Sequence, residues 1–265
     1  MNTTHPLSHS PERAARVVRV SDTEWQALVG DTVVGRGDAA RRPDGRLFIS
    51  VDAWQGPLFD RIARAVLADL PAPVHTVVDD SDADAAAAWE RVGFAPARRE
   101  RGYRVPCDPQ LGGLGDARPP AGVTVLPAGA AQEGPLRALD RVVHREVEAA
   151  GGWRTMPAQV LPCPPGTSVV DPSKYAVAQY RDQYVGLLRV GPLTREPRVG
   201  LLAVRADWRR RGVGRALLAH SLGALHRRGT TTAWAEVDES NAAAIALFEG
   251  IGARRAGGTL ELVRH

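Results

Sequence analysis

Two spacings of hydrophobic residues alternate along this chain, and their order predicts an α/β protein. Short apolar runs, such as Val74–Val78, are typical of buried strands, whereas apolar residues three or four apart, as in Pro57–Leu70, indicate helices. Pro43-Asp44-Gly45 lies between two apolar runs and indicates a hairpin. In the first half, strands are predicted at 14–20, 32–35, 46–51 and 74–78, and helices at 57–70 and 82–92 and from a start at 21–24.

The second half repeats this order of elements. Strands are predicted at 123–126, 199–204 and 231–237, with a hairpin at 175–190 and a last strand pair around Gly257-Gly258. Helices are predicted at 134–150, from about 216 to 228, and at 241–250. Residues 82–94 also align with 241–253 at a constant offset of 159, with Trp89 facing Phe248. The shared order and this alignment support an internal duplication.

Proline and glycine concentrate in two stretches of the chain. Residues 106–122 contain almost nothing to bury and are predicted to be a linker. This gives a flexible N-terminal stretch at 1–12, a first domain at 13–105 and a second domain at 123–265. Residues 151–171 form the other stretch, and loops of this length in compact domains are usually functional or disordered.

The charge balance and the cysteines narrow the classes of partner. The chain has 34 basic and 30 acidic residues, and the basic ones, all arginine except Lys174, are scattered among the acidic ones. This pattern suits an acidic ligand and requires no nucleic acid, which is kept only as a minor alternative. Cys107 and Cys163 form no C-x-x-C motif or histidine cluster, so no metal site is predicted and a reduced, cytoplasmic setting is expected. No apolar run approaches the roughly 18 residues of a membrane span, so no membrane partner is expected.

The stretch from Val199 to Arg215 joins a predicted buried strand to a predicted helix through an arginine-rich glycine loop. Free N–H groups at a helix N-terminus, with roughly half a positive charge from the helix dipole, favour an anion there. Gly212 and Gly214 leave room for a phosphate to approach the backbone, and arginines supply forked donors. The spacing fits neither a Walker loop, which ends in Gly-Lys-Ser/Thr, nor a dinucleotide fingerprint, because position 217 is Leu.

The motif Arg209-x-x-Gly212-x-Gly214 resembles the pyrophosphate-binding motif of the GNAT superfamily of acetyl-CoA-dependent N-acyltransferases. The resemblance covers about 199–253 well and the rest of the second half by order of elements only. The first half looks like a degenerate copy. The implied fold is two tandem GNAT-like domains, each a central mixed, mostly antiparallel sheet flanked by helices.

A second motif begins at Glu236-Val237 and continues, after three residues, with Asn241-Ala-Ala-Ala-Ile-Ala-Leu and Phe248-Glu249. It is similar to the segment of ribosomal-protein alanine N-acetyltransferases that runs from the fifth strand into the helix beside the coenzyme. In that segment, the glutamate at position 236 is the base that takes a proton from the attacking amine.

The resemblance also implies where acetyl-CoA, the co-substrate, would lie. Pantetheine would pair with backbone between the fourth and fifth strands, at Leu202, Ala203 and Val204. The pyrophosphate would lie on a loop made of Arg209, Arg210, Arg211, Gly212, Val213, Gly214 and Arg215. Asn241 and Phe248 would complete the coenzyme site. The first half has no glycine-arginine loop at 52–57, so we expect it to bind no coenzyme.

Position 248 departs from the family pattern, because the family's tyrosine, its general acid, is a phenylalanine here. Departure of the thiolate would then use another donor, water or no donor, and the sequence offers Tyr180, Tyr184 and Ser221 as donors. Two hypotheses follow. The first is an N-acetyltransferase for a small-molecule or peptide amine, active as a monomer or homodimer. The second is a catalytically silent acyl-CoA-binding sensor or scaffold with a GNAT fold.

The other polar and aromatic residues of the second half have a structural interpretation first. Glu146 and Glu148 are candidates for the acceptor site, although charges on an amphipathic helix usually face solvent. The remaining candidates are interpreted as structural or packing residues: His144, His220, His226, Trp208 and Trp234.

Overall fold

The computed structural model of the chain describes residues 15–42, 45–53, 56–149, 170–191 and 196–265. The predicted flexible stretch at 1–12 and all but the end of the predicted loop at 151–171 lie outside the described residues. Within the described ranges, no helix combines the length and the hydrophobicity needed to cross a membrane. The strands are β1 (Arg16–Arg19), β2 (Glu24–Val29), β3 (Thr32–Arg41), β4 (Leu47–Ala53), β5 (Val74–Asp79), β6 (Ala95–Pro106), β7 (Val123–Leu126), β8 (Tyr175–Tyr180), β9 (Gln183–Gly191), β10 (Arg198–Val204), β11 (Thr232–Asp238) and β12 (Arg254–Arg264). The α-helices are α1 (Gly56–Asp69), α2 (Ala83–Arg91), α3 (Glu133–Ala149), α4 (Val213–His226) and α5 (Ala242–Glu249).

The chain forms two compact units that differ in extent from the predicted domains. Unit 1 contains residues 1–98 and 260–265, and unit 2 contains residues 99–259. The predicted first domain extended to residue 105, but residues 100–106 of β6 pair with β11 and lie in unit 2. Part of the predicted linker also packs in unit 2, because Cys107 and Leu114 are buried in its core.

Unit 1 is a mixed sheet with helix α1 packed against it. The strand order is β1-β2-β3-β4-β5, and all pairs are antiparallel except β4 with β5. A close approach of α1 to β3 depends on glycine, because a Cβ at Gly37 would lie 2.7 Å from a methyl group of Val66. The helix predicted to begin at residues 21–24 is wrong. Residues 24–29 form β2, in which Trp25 and Ala27 point inward with the period of two that a strand has.

Unit 2 has a mixed sheet with helices on both faces. The strand order is β6-β11-β10-β9-β8-β7, and the described pairs are antiparallel except β10 with β11. Neighbouring residues of β9 point to opposite faces, so Leu187 packs with α3 and Leu188 packs with α4. The predicted mixed, mostly antiparallel sheets flanked by helices are therefore confirmed.

The C-terminal residues form one strand, so the strand pair predicted around Gly257-Gly258 is wrong. β12 continues through both glycines from Arg254 to Arg264. Gly257 has φ 97°, a left-handed conformation that glycine adopts without steric cost. The glycine pair is thus a local irregularity within the strand, and the chain does not reverse its direction there.

Candidate functional site

Strands β10 and β11 of unit 2 run side by side only at one end. They pair at Arg198 with Trp234 and at Val199 with Ala235, and then they separate. A cavity of about 570 Å³ lies at this separation. Its walls come from α3, β10, the start of α4, β11 and the start of α5. The gap predicted between the fourth and fifth strands of this domain is thus present, and the two strands that flank it are parallel.

The backbone of β10 is open toward this cavity at alternate residues. The N–H of Arg205 donates to the carbonyl of Val185 in β9 at 3.0 Å. In the antiparallel register, Ala203 faces Leu187 in the same hydrogen-bonded orientation. The backbone groups of Leu202 and Val204 therefore point away from β9, into the gap. Ala203 lines the cavity as well, although its own backbone groups face β9.

The first turn of helix α4 closes one end of the cavity. Its N-cap is Gly212, which has φ 88° and supplies no side-chain capping bond. The first N–H groups of a helix have no partner within the helix, so this end presents free donors. Gly214 lines the cavity, and an ideal Cβ there would make only ordinary contacts, at 3.8 Å, with the side chains of Leu202, Val204 and Leu247. This end of α4 can hold an anion against the backbone.

The arginines of the loop do not converge on one point. Arg209 lines the cavity, and its Nε donates to the carbonyl of Val204 at 3.0 Å. The Arg215 side chain turns away and donates to the carbonyls of Gly113 and Gly250. Four further predicted loop residues do not line the cavity: Arg210, Arg211 and Gly212 are exposed, and the side chain of Val213 is buried in the core.

Glu146 of α3 also reaches this loop. Its carboxylate accepts from the backbone N–H of Ala206 at 2.9 Å and from the Arg209 guanidinium at 3.0 Å. Glu146 therefore lines the cavity beside the loop, whereas Glu148 is exposed and does not line it. A role of either residue in the acceptor site stays a prediction.

Glu236 of β11 lines the cavity on the side opposite the loop-bearing strand. Its side chain is only 14% exposed. One carboxylate oxygen accepts from the indole N–H of Trp234 at 3.0 Å, and the other accepts from the guanidinium of Arg198. A carboxylate has about four acceptor positions, so two remain for a proton from a ligand.

Helix α5 contributes Asn241 and Phe248 to the cavity wall. The side chain of Asn241 is the N-cap of α5 and accepts from the N–H of Ala244 at 3.1 Å. Phe248 is 5% exposed and stacks on Tyr103, with the ring centroids 6.1 Å apart. No phenol hydroxyl therefore stands at position 248.

The donors suggested by the sequence are elsewhere in unit 2. Tyr180 packs against Trp208, and the Tyr184 hydroxyl accepts from a backbone N–H of α3's preceding turn. Neither of them lines the cavity described here, and neither does Ser221. Ser240 does line it, and its hydroxyl donates to Asp238 at 2.5 Å. Sequence reasoning missed Ser240, although its place between the strand end and the helix cap was visible.

Unit 1 repeats the arrangement of strands and helix around this site, but it lacks a residue that could act as the base. At the offset of 159 residues, Asp82 corresponds to Asn241, and each caps its helix by accepting from the third residue onward. The same offset places Val77, which cannot act as a base, at the position of Glu236. The Thr76 hydroxyl donates to the carbonyl of Ile49 and so links β5 to β4 beyond their last paired residues. A hydrogen bond therefore crosses the place in unit 1 that corresponds to the gap between β10 and β11.

Comparison with known proteins identifies the fold of this site. Residues 152–253 match the model of the Acetyltransferase (GNAT) family. Unit 2 therefore has the fold of a GNAT domain, and it is called the GNAT domain below. The solved structures similar to the chain include a GCN5-related N-acetyltransferase from Sphaerobacter thermophilus, with a TM-score of 0.66 and 17% identity over 93% of this chain and 82% of that one. They also include a tandem GNAT protein from the clavulanic acid biosynthesis pathway, with a TM-score of 0.63 and 15% identity over 94% of this chain and 83% of that one.

The GNAT domain also has curated relatives with higher identity over a short segment. It is 55% identical over 51 residues to the [ribosomal protein bS18]-alanine N-acetyltransferases of Escherichia coli (strain K12) and Salmonella typhimurium. The segment is 19% of this chain, and it spans about a third, 34%, of the length of these relatives.

Proposed function

We propose that the GNAT domain binds acetyl-CoA in the cavity between β10 and β11 and transfers the acetyl group to a primary amine. The observation that carries this proposal is the conjunction of strand backbone that faces the cavity at Leu202 and Val204, where the Val204 carbonyl accepts from Arg209, with the uncapped start of α4. An extended amide chain fits the first feature, and a diphosphate fits the second. Acetyl-CoA contains both groups and supplies an activated acyl thioester.

The transfer requires that a neutral amine reach the thioester carbon. The nitrogen forms a bond to the acetyl carbon, the carbon–sulfur bond breaks, and the sulfur leaves with the electron pair. Glu236 has the position to take the proton that the nitrogen loses, because its carboxylate lines the cavity and retains free acceptor positions. The amine becomes an amide, the thiolate takes a proton from water to become coenzyme A thiol, and Glu236 returns its proton to solvent.

The loop residues divide the work of holding the diphosphate. Backbone N–H groups at Val213, Gly214 and Arg215 begin α4 and offer donors, and Arg209 adds a charged group at the cavity wall. The exposed Arg210 and Arg211 add positive charge outside the cavity. The acceptor is a small-molecule or peptide amine, and we place the reaction in the cytoplasm, in a monomer or homodimer.

Release of coenzyme A thiol tests the proposed reaction. Acetyl-CoA is incubated with the full chain and a panel of amines that includes polyamines, amino sugars and a peptide with N-terminal alanine. The peptide is included because the curated relatives are alanine N-acetyltransferases. We expect amine-dependent thiol release. Glu236→Gln should lower kcat by about 10²- to 10⁴-fold, the usual contribution of a positioned base, while the Kd of acetyl-CoA stays within about twofold.

Phe248 supports one alternative function, a silent acyl-CoA sensor with the same fold. At this position, the ring stacks on Tyr103 and offers no proton to a departing thiolate. The sensor predicts binding of acetyl-CoA without thiol release for any amine, and equal binding by Glu236→Gln. Acetylated product in the same assay excludes it.

A further inference from the structure

Two residues that do not line the cavity, Trp234 and Arg198, hold the Glu236 carboxylate. Trp234 and Glu236 are two residues apart in β11, so their side chains leave the same face of the strand. Arg198 faces Trp234 across the last paired end of β10 and β11. Its guanidinium reaches one oxygen of Glu236, and the Trp234 indole N–H donates to the other at 3.0 Å.

A missing side chain on β6 makes this arrangement possible. Gly102 lies directly opposite Glu236 in the register of β6 and β11. An ideal Cβ at Gly102 would lie 2.5 Å and 2.6 Å from Cζ2 and Cη2 of the Trp234 indole. Contacts this short are not sustained, so any larger residue at 102 would displace the ring and with it the N–H that meets Glu236.

Burial strengthens both hydrogen bonds to the Glu236 carboxylate. The side chains of Arg198 and Glu236 are 11% and 14% exposed, so water competes weakly for either of them. Charge-assisted bonds of this kind fix orientation as well as energy. With both oxygens engaged from one side, the carboxylate is held in one rotamer that leaves its remaining acceptor positions toward the cavity.

We propose that Trp234 and Arg198 are positioning residues that aim the Glu236 base, with Gly102 providing the space for the indole. This inference rests on the proposed function, in which Glu236 accepts the proton of the amine. Trp234 then has a defined role, which replaces its interpretation as a packing residue. Misaiming a base by about 1 Å is enough to cost a large factor in rate, because proton transfer requires hydrogen-bond reach.

Kinetics of Trp234→Phe test the positioning role. The substitution keeps an aromatic ring and removes the N–H donor together with the rest of the pyrrole ring, a loss of volume that the Trp25→Phe control shares. We expect kcat to fall about tenfold with the KM for acetyl-CoA within about twofold. Gly102→Ala, which pushes the ring away, should give the same split. Arg198→Met should lower kcat further, and Arg198→Lys should restore part of the loss because it returns a charged donor.

Trp25→Phe is the matched control. The Trp25 indole of unit 1 also donates to a carboxylate, that of Asp69, at 2.8 Å. This variant should lower the melting temperature and leave kcat unchanged. A kcat of Trp234→Phe equal to that of the wild type overturns the inference, and so does a kcat loss in Trp25→Phe as large as that in Trp234→Phe.

An NMR measurement separates this inference from the proposed function. In ¹H–¹⁵N spectra of the full chain, the indole signal that disappears in Trp234→Phe belongs to Trp234. We expect this signal to move in Glu236→Gln, because an indole proton bound to a carboxylate changes its shift when the charge is removed, while the Trp25 signal stays in place. An unmoved Trp234 signal contradicts the positioning contact even if the enzyme is active. A moved signal in a protein that never releases thiol contradicts the proposed function alone.

Discussion

The carboxylate of Glu261 is buried in unit 1, and its hydrogen-bond and charge partners determine whether it stabilises the folded state. It accepts from Arg46 at 2.5 Å and lies 3.1 Å from the Nδ1 atom of His75. Burial alone would raise the pKa of Glu261, but the hydrogen bond with His75 and the charges of Arg46 and Arg98 lower it below its ordinary value of 4.5. The carboxylate therefore stabilises the folded state in its charged form.

Glu261→Gln tests this contribution. A folded pKa below the unfolded value means that the stabilisation is present above about pH 4.5 and is lost as the pH falls through the folded pKa. At pH 7, we expect the variant to lose about 2–3 kcal/mol of unfolding free energy, since it leaves buried cationic partners without their anion. Urea unfolding of both proteins from pH 7 to pH 3 measures the difference, which should shrink in acid. A difference that stays constant over this range contradicts the account.

At the scale of elements, the caps of α2 and α5 form a matched pair. The side chains of Asp82 and Asn241 each accept a hydrogen bond from the backbone N–H of the residue three positions further along the chain. Only Asn241 lines the cavity. Replacing either by alanine should cost about 1 kcal/mol of stability, the usual value of an N-cap bond. Only Asn241→Ala should also weaken acetyl-CoA binding, by a few-fold. Equal Kd values for the two variants in calorimetry would remove Asn241 from the coenzyme site.

The elements of the site were predictable where their signal is local. The Gly212–Gly214 loop, the helix predicted at 241–250 and the strand that carries Glu236 all depend on residues close in sequence, so the pattern was sufficient. The role of Gly102 was not predictable, because it arises from the register between β6 and β11, which are about 130 residues apart. The contact of Arg198 with Glu236 depends in the same way on the pairing of β10 with β11.

Some errors came from local signals that tertiary structure overrides. Residues 21–24 resemble a helix start, but Trp25 and Ala27 gain more by entering the core of unit 1 from a strand. The glycine pair at 257–258 reads as a turn, yet a single strand continues through it. Phe248 was identified correctly as the departure from the family pattern, and its position in the cavity wall makes that departure relevant to the chemistry.

At the scale of the whole molecule, the two units have the same order of strands and helices. They differ at the position of the gap between two strands. In unit 2, the gap between β10 and β11 is open, and a glycine begins the following helix. In unit 1, the Thr76 hydroxyl crosses between β5 and β4, and Val77 stands where the base would be. We therefore expect the chain to bind one acyl-CoA, in unit 2 alone.

Isothermal titration calorimetry of the full chain with acetyl-CoA tests this expectation most directly. The account predicts one molecule per chain for the wild type. Gly214→Ala is the folding control and should keep the melting temperature, since a Cβ at Gly214 meets no protein atom closer than 3.8 Å. Gly214→Asp should weaken binding more than tenfold with the melting temperature retained, because a carboxylate at the start of α4 repels the diphosphate. Two molecules per chain, no binding by the folded wild type, or undiminished binding by Gly214→Asp would contradict the account.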